Sequence, residues 1–278
     1  MENYVQGKVV LVTGAGSQVG FGKNVAEIIA SMGGKVVALD IDGEGLNKTA
    51  EGIRAAGGEI VCMTGDVCKE EDVKAFVQLA LDTYGRVDTF VANAGTMPHA
   101  LFKDYDIAIR PWENVIDLSL KGSLYAIGAC YDVMQKQGYG QMIFVSSIMA
   151  NFSFAGSCVY SAVKAGIRYI ANGLRQEAHG VIKVTVVNPP SVCTTNLAKT
   201  IVAPGGGGSM IDRVEYGTRA GKIMSGEAPA EVLDRESIRY WELTARDLAE
   251  QIVYCINQPA GISISDITVR SGDDLFII

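Results

Sequence analysis

Three polar residues near the middle of the chain have the types and the spacing needed for proton transfer. Tyr160 and Lys164 are four positions apart, which puts a phenol and an ammonium one turn apart on one helix face. A nearby ammonium favours the phenolate, so we expect Lys164 to bring the pKa of Tyr160 towards neutral pH. Ser147 ends a predicted buried strand 13 residues earlier, where its hydroxyl can point into the same cleft. The pattern indicates a general acid/base site.

A glycine-rich turn joins the first predicted strand to the first predicted helix. It runs from Thr13 to Gly22. Glycines allow a backbone to approach a pyrophosphate, and a helix N-terminus offers free N–H groups and the positive end of its dipole. The sequence therefore predicts a dinucleotide site at this turn. The candidate contacts within it are Gly14, Ser17, Gln18, Gly20 and Phe21.

An acidic residue ends the second predicted strand. Asp40 follows Gly14 by 26 residues. A carboxylate in this position accepts hydrogen bonds from an adenosine ribose and repels a 2′-phosphate, so Asp40 predicts NAD rather than NADP as the cofactor. Asp42 is the less favoured second candidate. The alternative interpretation is that Asp40 is a solvated acid in a turn.

These residues lie in a regular alternation of apolar strands and amphipathic helices. Strands are predicted at 9–12, 36–39, 59–63, 89–92, 142–146, 183–187 and 264–269, and helices at 23–32, 46–56, 71–84, 112–137, 160–178 and 247–257. This order predicts an α/β fold: a doubly wound, seven-stranded parallel sheet with helices on both faces. We expect one domain over 1–278. Residues from about 195 to 240, which include Gly205 to Gly208, break the alternation and predict a lid.

Composition and charge exclude several other classes. Lys and Arg number 24 and Asp and Glu number 31, which gives a net charge of −7. This balance argues against binding to nucleic acid or to an anionic membrane. No apolar run reaches the roughly 18 residues that span a bilayer, and the start lacks a secretory signal pattern, so we expect a cytoplasmic protein. The six cysteines form no C-x-x-C pair, which predicts reduced thiols and no metal site.

Taken together, these motifs resemble those of the short-chain dehydrogenase/reductase family. The further matching pieces, in the family's order, are Asp66-Val67 after strand 3, Asn93-Ala94-Gly95 after strand 4 and Asn188-Pro189 after strand 6. The resemblance extends from Lys8 to about Val269. It implies a Rossmann-type domain, usually a tetramer, that transfers hydride between a nicotinamide and a carbinol carbon.

The resemblance also implies a role for each matching residue. Tyr160 would be the acid/base, Ser147 would hold the substrate oxygen, and Lys164 would bind the nicotinamide ribose while lowering the pKa of the tyrosine. The remaining cofactor contacts would be Asp66 and Val67 at the adenine, Asn93, Ala94 and Gly95 on the adenosine-ribose side, Pro189, and Thr194 near the carboxamide.

Three features depart from the family pattern. Two extra residues separate Gly14 from Gly20 and lengthen the turn. Ser119 stands where the family normally has an asparagine that helps to hold a proton-relaying water. Serine is shorter but also binds water, so Ser119 is a candidate catalytic residue. Residues 267–274 replace the V-D-G-G of many relatives, which changes the C-terminal wall.

Several smaller signals lie near the expected cleft. His99 predicts a surface histidine in preference to a substrate contact. Phe152 and Phe154 predict either core packing or an apolar substrate wall. Cys158 and Cys193 predict packing residues, since neither has a neighbouring base in the sequence. Four residues of the lid are either substrate contacts or lid packing: Met210, Tyr216, Met224 and Trp241.

The sequence thus predicts an NAD-dependent oxidoreductase that interconverts a secondary alcohol and its ketone. The size of the lid favours a substrate such as a hydroxysteroid, an aryl carbinol or a cyclic polyol. One alternative is a non-catalytic sensor of NAD(H), against which the intact Ser147, Tyr160 and Lys164 argue. The other is an enoyl-type double-bond reductase, in which tyrosine and lysine are usually further apart. We expect a homotetramer or homodimer, and no nucleic-acid or membrane partner.

Overall fold

Short runs of mainly β-branched and other apolar residues form a parallel sheet. The computed structural model describes residues 2–190, 192, 194–203 and 214–275. Within them the strands are β1 (Val9–Thr13), β2 (Lys35–Asp40), β3 (Glu59–Thr64), β4 (Thr89–Ala92), β5 (Gly140–Val145), β6 (Ile182–Asn188) and β7 (Asp266–Thr268). Their order is β3-β2-β1-β4-β5-β6-β7, and every pairing is parallel. The predicted seven-stranded, doubly wound sheet is confirmed.

Helices cover both faces of this sheet. They are α1 (Phe21–Ser31), α2 (Gly43–Ala55), α3 (Glu70–Tyr84), α4 (Tyr105–Ile116), α5 (Gly122–Gln137), α6 (Cys158–Glu177), α7 (Val214–Ser225), α8 (Ala230–Leu233) and α9 (Ala245–Ile256). Val10 and Val12 of β1 pack in the same core cluster as α1, α2 and α9. Val9 and Leu11 pack with α3, α5 and α6 on the other face. Apolar burial on both faces explains why the strands are continuous apolar runs.

The fourth predicted helix is in fact two helices joined by a wider turn. The prediction gave one helix over 112–137, whereas α4 begins at Tyr105 and contains Pro111 in its interior. A π-helical turn, Asp117–Lys121, then connects α4 to α5. Proline normally ends a helix, and a π turn is invisible to a 3.6-residue period, so the sequence pattern misses both features. Ser119 lies within this turn, just before α5, and is buried.

The predicted lid is partly described by the structure. It contains a short 3-10 helix, Asn196–Thr200, followed by α7 and α8. Arg219 of α7 stacks on the Trp241 ring at 4.9 Å and donates to the Asp273 carbonyl oxygen at 2.6 Å, so Trp241 is lid packing. Met224 is 77% exposed. The other residues singled out in or near this region, Cys193, Gly205 to Gly208, Met210 and the side chain of Tyr216, lie outside the described residues.

The cysteines in the described part of the chain are free thiols. Cys130 and Cys255 are buried, and burial raises the pKa of Cys255 to about 12. Cys158 is half-buried, with its sulfur 3.8 Å from the Phe154 carbonyl oxygen. Among the described residues, no group of His, Cys, Asp or Glu is arranged to hold a metal ion. None of the described helices has the length and apolar character needed to span a membrane.

Candidate active site

The carboxyl ends of β1 and β4 meet where the strand order of the sheet reverses. In open α/β sheets, ligands bind in the crevice at such a point. The Thr13 hydroxyl accepts hydrogen bonds from Asn93 N at 3.0 Å and Ala94 N at 3.2 Å. The Asn93 side-chain amide donates to the Thr13 carbonyl oxygen at 2.8 Å and to the Gly14 carbonyl oxygen at 3.3 Å. The Asn93 side chain therefore fastens the two strand ends together.

The glycine turn fits a pyrophosphate. Gly14 has a positive φ of 72°, and a Cβ on it would lie 2.9 Å from the Asn93 amide nitrogen. A Cβ on Gly22 would overlap the Gly14 carbonyl oxygen. In the structure, no side chain caps α1 at Gly20, and its first turn carries no acidic residue. The first N–H groups of α1 are thus available to an anion, which the helix dipole also favours.

The two extra residues of the turn are anchored by Gln18. Its side-chain nitrogen donates to the Gly16 carbonyl oxygen at 2.9 Å, to the Gly45 carbonyl oxygen at 2.8 Å and to the Thr49 hydroxyl at 3.1 Å. The longer turn is therefore tied to α2. The sequence motif predicted Gln18 as a cofactor contact and gave no sign of this bridging role. The Ser17 hydroxyl accepts a bond of 3.4 Å from the Asn196 side chain, which belongs to the lid.

Asp40 lies directly beside the turn. Its half-buried carboxylate accepts hydrogen bonds from Gly16 N at 2.6 Å and from Asp42 N at 2.9 Å. Asp42 instead caps α2 by accepting from Gly45 N at 3.0 Å. These contacts argue against the alternative of a merely solvated acid at Asp40. Each carboxylate oxygen of Asp40 has a further lone pair, so hydroxyl groups can still donate to it.

The remaining predicted cofactor residues occupy different positions around the crevice. Asp66 accepts from Cys68 N at 2.9 Å, and Val67 is buried beside α5. A Cβ on Gly95 would lie 3.8 Å from Lys164 Nζ. The Pro189 carbonyl oxygen accepts from Ile148 N at 3.0 Å and so joins the segment after β6 to the segment after β5. Thr194 is exposed, and no contact among the described residues joins it to the other predicted cofactor residues.

Ser147, Tyr160 and Lys164 converge at the carboxyl end of β5. Tyr160 and Lys164 are both buried on α6, and Lys164 Nζ lies 5.6 Å from the centre of the Tyr160 ring. Lys164 Nζ also donates to the Val145 carbonyl oxygen, the last of β5, at 3.0 Å. The Ser147 side chain hydrogen-bonds to Tyr160 and accepts from Met149 N at 3.2 Å. The i, i+4 spacing on α6 and the end of β5 therefore bring the three groups close together.

Burial dominates the protonation of this group. It raises the pKa of Tyr160 to about 12, against the opposing effect of the hydrogen bond with Ser147. It lowers the pKa of Lys164 to about 8. The expectation that Lys164 lowers the pKa of Tyr160 stays a prediction. The ammonium bonds to the Val145 carbonyl oxygen, and the loss of water around both groups has the larger effect.

Ser119 and Lys164 line one small cavity. The cavity measures about 20 Å³ and is also lined by Thr13, Ser123 and Val145. The Ser119 hydroxyl is buried and has no hydrogen-bond partner among the described residues. The rest of the cavity lining is mainly apolar, from residues such as Phe90, Leu118 and Ile167. A cavity of this size is large enough for about one water molecule.

His99 contradicts the prediction of a surface histidine. Its side chain is completely buried, and its ring packs edge-to-face against Tyr160 at 5.4 Å and Phe154 at 5.8 Å. Burial lowers the pKa of His99 to about 4. Phe152 and Phe154 pack against the core cluster that contains Tyr160, which favours the core-packing alternative, and both stay partly exposed. The only sequence signal for His99 is its position in the segment that follows β4 at the crevice.

Comparison with known proteins assigns the family. A family model described as short chain dehydrogenase matches residues 8–204, which is more than half of the chain. The chain belongs to the short-chain dehydrogenase family. This short-chain dehydrogenase is similar to an uncharacterized oxidoreductase of Staphylococcus haemolyticus, with 31% identity over 267 residues. The match covers 96% of this chain and 98% of the relative.

Solved structures of other dehydrogenases have the same fold. An alcohol dehydrogenase from Thermococcus sibiricus complexed with 5-hydroxy-NADP is 20% identical, with a TM-score of 0.76 over 96% of this chain and 97% of that one. A short-chain dehydrogenase/reductase from Burkholderia phymatum in complex with NAD is 22% identical, with a TM-score of 0.75 over 96% and 90%. One of these structures holds NAD and the other an NADP derivative.

Proposed function

We propose that this short-chain dehydrogenase is an NAD-dependent oxidoreductase that interconverts a secondary alcohol and its ketone. The observation that carries the proposal is the convergence of Ser147, Tyr160 and Lys164 at the end of β5. Lys164 shares a cavity with Thr13, the residue from which the glycine turn begins. A proton-transfer group and a dinucleotide turn thus meet in one crevice, which is the arrangement that hydride transfer to or from a carbinol carbon needs.

Each of the three side chains has a distinct task in this proposal. A nicotinamide cofactor supplies or accepts the hydride. Tyr160 Oη takes the hydroxyl proton of the alcohol during oxidation and returns it to the carbonyl oxygen during reduction. Ser147 donates a hydrogen bond to the same substrate oxygen and so orients it. Lys164 holds its ammonium beneath the Tyr160 ring, where it stabilises the phenolate that oxidation requires.

Asp40 supports the choice of NAD. Its carboxylate lies beside the turn, held by Gly16 N, on the side of the crevice where the ribose of a bound dinucleotide would lie. A 2′-phosphate there would meet a negative charge. The negative charge of Asp40, rather than its capacity to accept hydrogen bonds, is therefore proposed to select NAD over NADP.

Calorimetric titration with NAD and with NADP tests this choice. The informative variant is Asp40→Asn, because asparagine removes the charge and keeps an oxygen for Gly16 N, at the cost of the second acceptor, which binds Asp42 N. Asp42→Asn is the matched control, since asparagine also caps helices well. We expect wild type and Asp42→Asn to prefer NAD by roughly tenfold or more, and Asp40→Asn to lose most of that preference, about 1.4 kcal/mol. A wild-type preference for NADP, or an unchanged preference in Asp40→Asn, contradicts the proposal.

The substrate and the assembly are further parts of the proposal. The partly exposed Phe152 and Phe154, which pack against the cluster that contains Tyr160, support a bulky secondary alcohol: a hydroxysteroid, an aryl carbinol or a cyclic polyol. We propose that 1–278 is one domain with a lid at about 195–240, and that the protein is a homotetramer or a homodimer.

A further inference from the structure

The backbone of His99 is fixed by contacts from two sides of the crevice. His99 follows β4, and its carbonyl oxygen accepts hydrogen bonds from Val202 N at 3.1 Å and Ala203 N at 3.4 Å, in the segment after β6. The imidazole is wholly buried and touches the rings of Tyr160 and Phe154. The side chain therefore forms part of the wall next to the proposed acid/base.

Neither nitrogen of this imidazole has a hydrogen-bond partner within the described residues. Buried polar atoms without partners are rare in folded proteins, because they lose their hydrogen bonds to water and gain none in return. Several other described residues have a single buried polar side-chain atom without a partner. His99 has two such atoms. A functional role is one explanation for such a group, and the position of His99 beside Tyr160 favours it.

The chemistry of the imidazole limits what that ligand group is. Burial lowers the pKa of His99 to about 4, so the ring is neutral near pH 7 and offers one N–H donor and one acceptor nitrogen. A hydroxyl group matches such a pair, and a carbonyl oxygen matches its donor. A carboxylate or phosphate would call for a cation. The ammonium next to Tyr160, that of Lys164, is already bonded to the Val145 carbonyl oxygen.

We propose that His99 binds a second substrate oxygen, on the carbon next to the reacting carbon, so that the enzyme acts on vicinal diols and on the matching α-hydroxy ketones. The inference rests on the proposed function, since it takes Tyr160 as the group that meets the first oxygen. The centres of the His99 and Tyr160 rings lie 5.4 Å apart, so a substrate that reaches both side chains carries two oxygens a short distance apart, as a vicinal diol does. His99 is then a specificity-determining residue.

The test compares alcohols that differ by one hydroxyl group. The pairs are vicinal cyclohexanediol with cyclohexanol, and vicinal indanediol with indanol. kcat/KM is measured from the absorbance of the reduced nicotinamide for wild type, His99→Phe and His99→Asn. Phenylalanine keeps an aromatic ring against Tyr160 and Phe154 but has no nitrogen. Asparagine keeps a donor and an acceptor but loses the ring.

We expect wild type to prefer the diol of a pair by roughly tenfold or more, because an unmet polar group in the site penalises the monoalcohol. His99→Phe is expected to lose this preference, measured as the ratio of kcat/KM for the diol to kcat/KM for the monoalcohol, so that a general loss of activity cancels. His99→Asn is expected to keep part of it. The monoalcohol also serves as the folding control, and His99→Leu replaces His99→Phe if the latter does not fold.

The outcomes separate this inference from the proposed function. A wild type that turns over both members of a pair equally, or a diol preference that persists in His99→Phe, overturns the role of His99 and leaves the proposed function intact. If wild type binds NAD but turns over none of the four alcohols, the role of His99 in binding diols is overturned, and turnover of a hydroxysteroid then decides whether the proposed alcohol chemistry holds.

Discussion

The two sides of the crevice are built from different kinds of contact. On the side of β1 and β2, side chains hold the backbone of the glycine turn: Asn93 bonds to the Gly14 carbonyl oxygen, Gln18 to that of Gly16, and Asp40 to Gly16 N. On the side of β5, the groups that matter are buried side chains. Tyr160 and Lys164 are both almost inaccessible to solvent, and burial has displaced the pKa of each.

This difference indicates that the shape of the glycine turn and the reactivity of the buried side chains depend on different contacts. The backbone of the turn lies so close to neighbouring atoms that it depends on residues without a Cβ. A single added methyl group should therefore lower both the stability of the protein and its affinity for the ligand. A set of buried polar side chains is held by the surrounding core. Its reactivity should therefore be removable without loss of the fold. Each prediction below tests one side of this contrast.

The largest effect is expected for Lys164→Met, on the reactive side. Methionine fills a similar volume but has no ammonium to stabilise the phenolate of Tyr160. We expect kcat/KM to fall by about 10²–10⁴-fold, while the free energy of unfolding at pH 7 falls by no more than about 1 kcal/mol, the value of one lost hydrogen bond. Steady-state kinetics and urea unfolding measure the two quantities. A large loss of stability together with activity breaks the contrast.

The same variant predicts a pH dependence of stability. Burial lowers the pKa of Lys164 from 10.5 to about 8, so between these pH values the unfolded chain binds more protons at this residue than the folded chain does. Wild-type stability should therefore rise with pH, relative to Lys164→Met, from about pH 8 to pH 10.5. The difference between the two proteins isolates Lys164 from Lys8, whose pKa is also lowered to about 8. A constant difference across this range contradicts the displaced pKa.

A smaller effect is expected for Gly22→Ala, on the side of the turn. The new methyl group would overlap the Gly14 carbonyl oxygen and crowd the Asn93 amide, so the turn must shift. We expect a loss of about 1–3 kcal/mol in the free energy of unfolding, and at least roughly a tenfold loss of NAD affinity by calorimetry.

Gly52→Ala is the matched control and gives the smallest effect. Gly52 lies in α2, and a Cβ there meets no atom within 4 Å. Alanine should therefore stabilise the helix by about 0.5–1 kcal/mol and leave NAD affinity unchanged. If Gly22→Ala behaves like Gly52→Ala, the turn does not depend on its close backbone contacts.

The sheet and the turn were predictable from sequence because their signals are local. Apolar runs such as Val9 to Val12 and glycines at short spacing carry enough information to give the strands and the turn that joins β1 to α1. The helix pattern failed at Pro111 and at the π turn 117–121, where the backbone departs from the regular period. The lid helices α7 and α8 were not predicted at all.

The chemistry of the site was only partly predictable. Spacing alone indicates that Tyr160 and Lys164 share a helix face, and the strand end puts Ser147 near them. The displaced pKa values depend on how much water the fold removes, which no spacing reports. The roles of His99 and Gln18 were unpredictable for a similar reason, because their partners lie on segments distant in sequence. Only the folded chain reveals that His99 is buried against Tyr160 and that Gln18 bridges to α2.

The most direct test of the proposed chemistry is kcat/KM for oxidation of a secondary alcohol by wild type and by Tyr160→Phe, followed through the absorbance of NADH. Phenylalanine keeps the buried ring and removes only the hydroxyl group that carries the proton. We predict a fall of about 10²–10⁴-fold, with NAD affinity unchanged in a parallel calorimetric titration. Turnover by Tyr160→Phe close to that of wild type would contradict the assignment of Tyr160 as the acid/base.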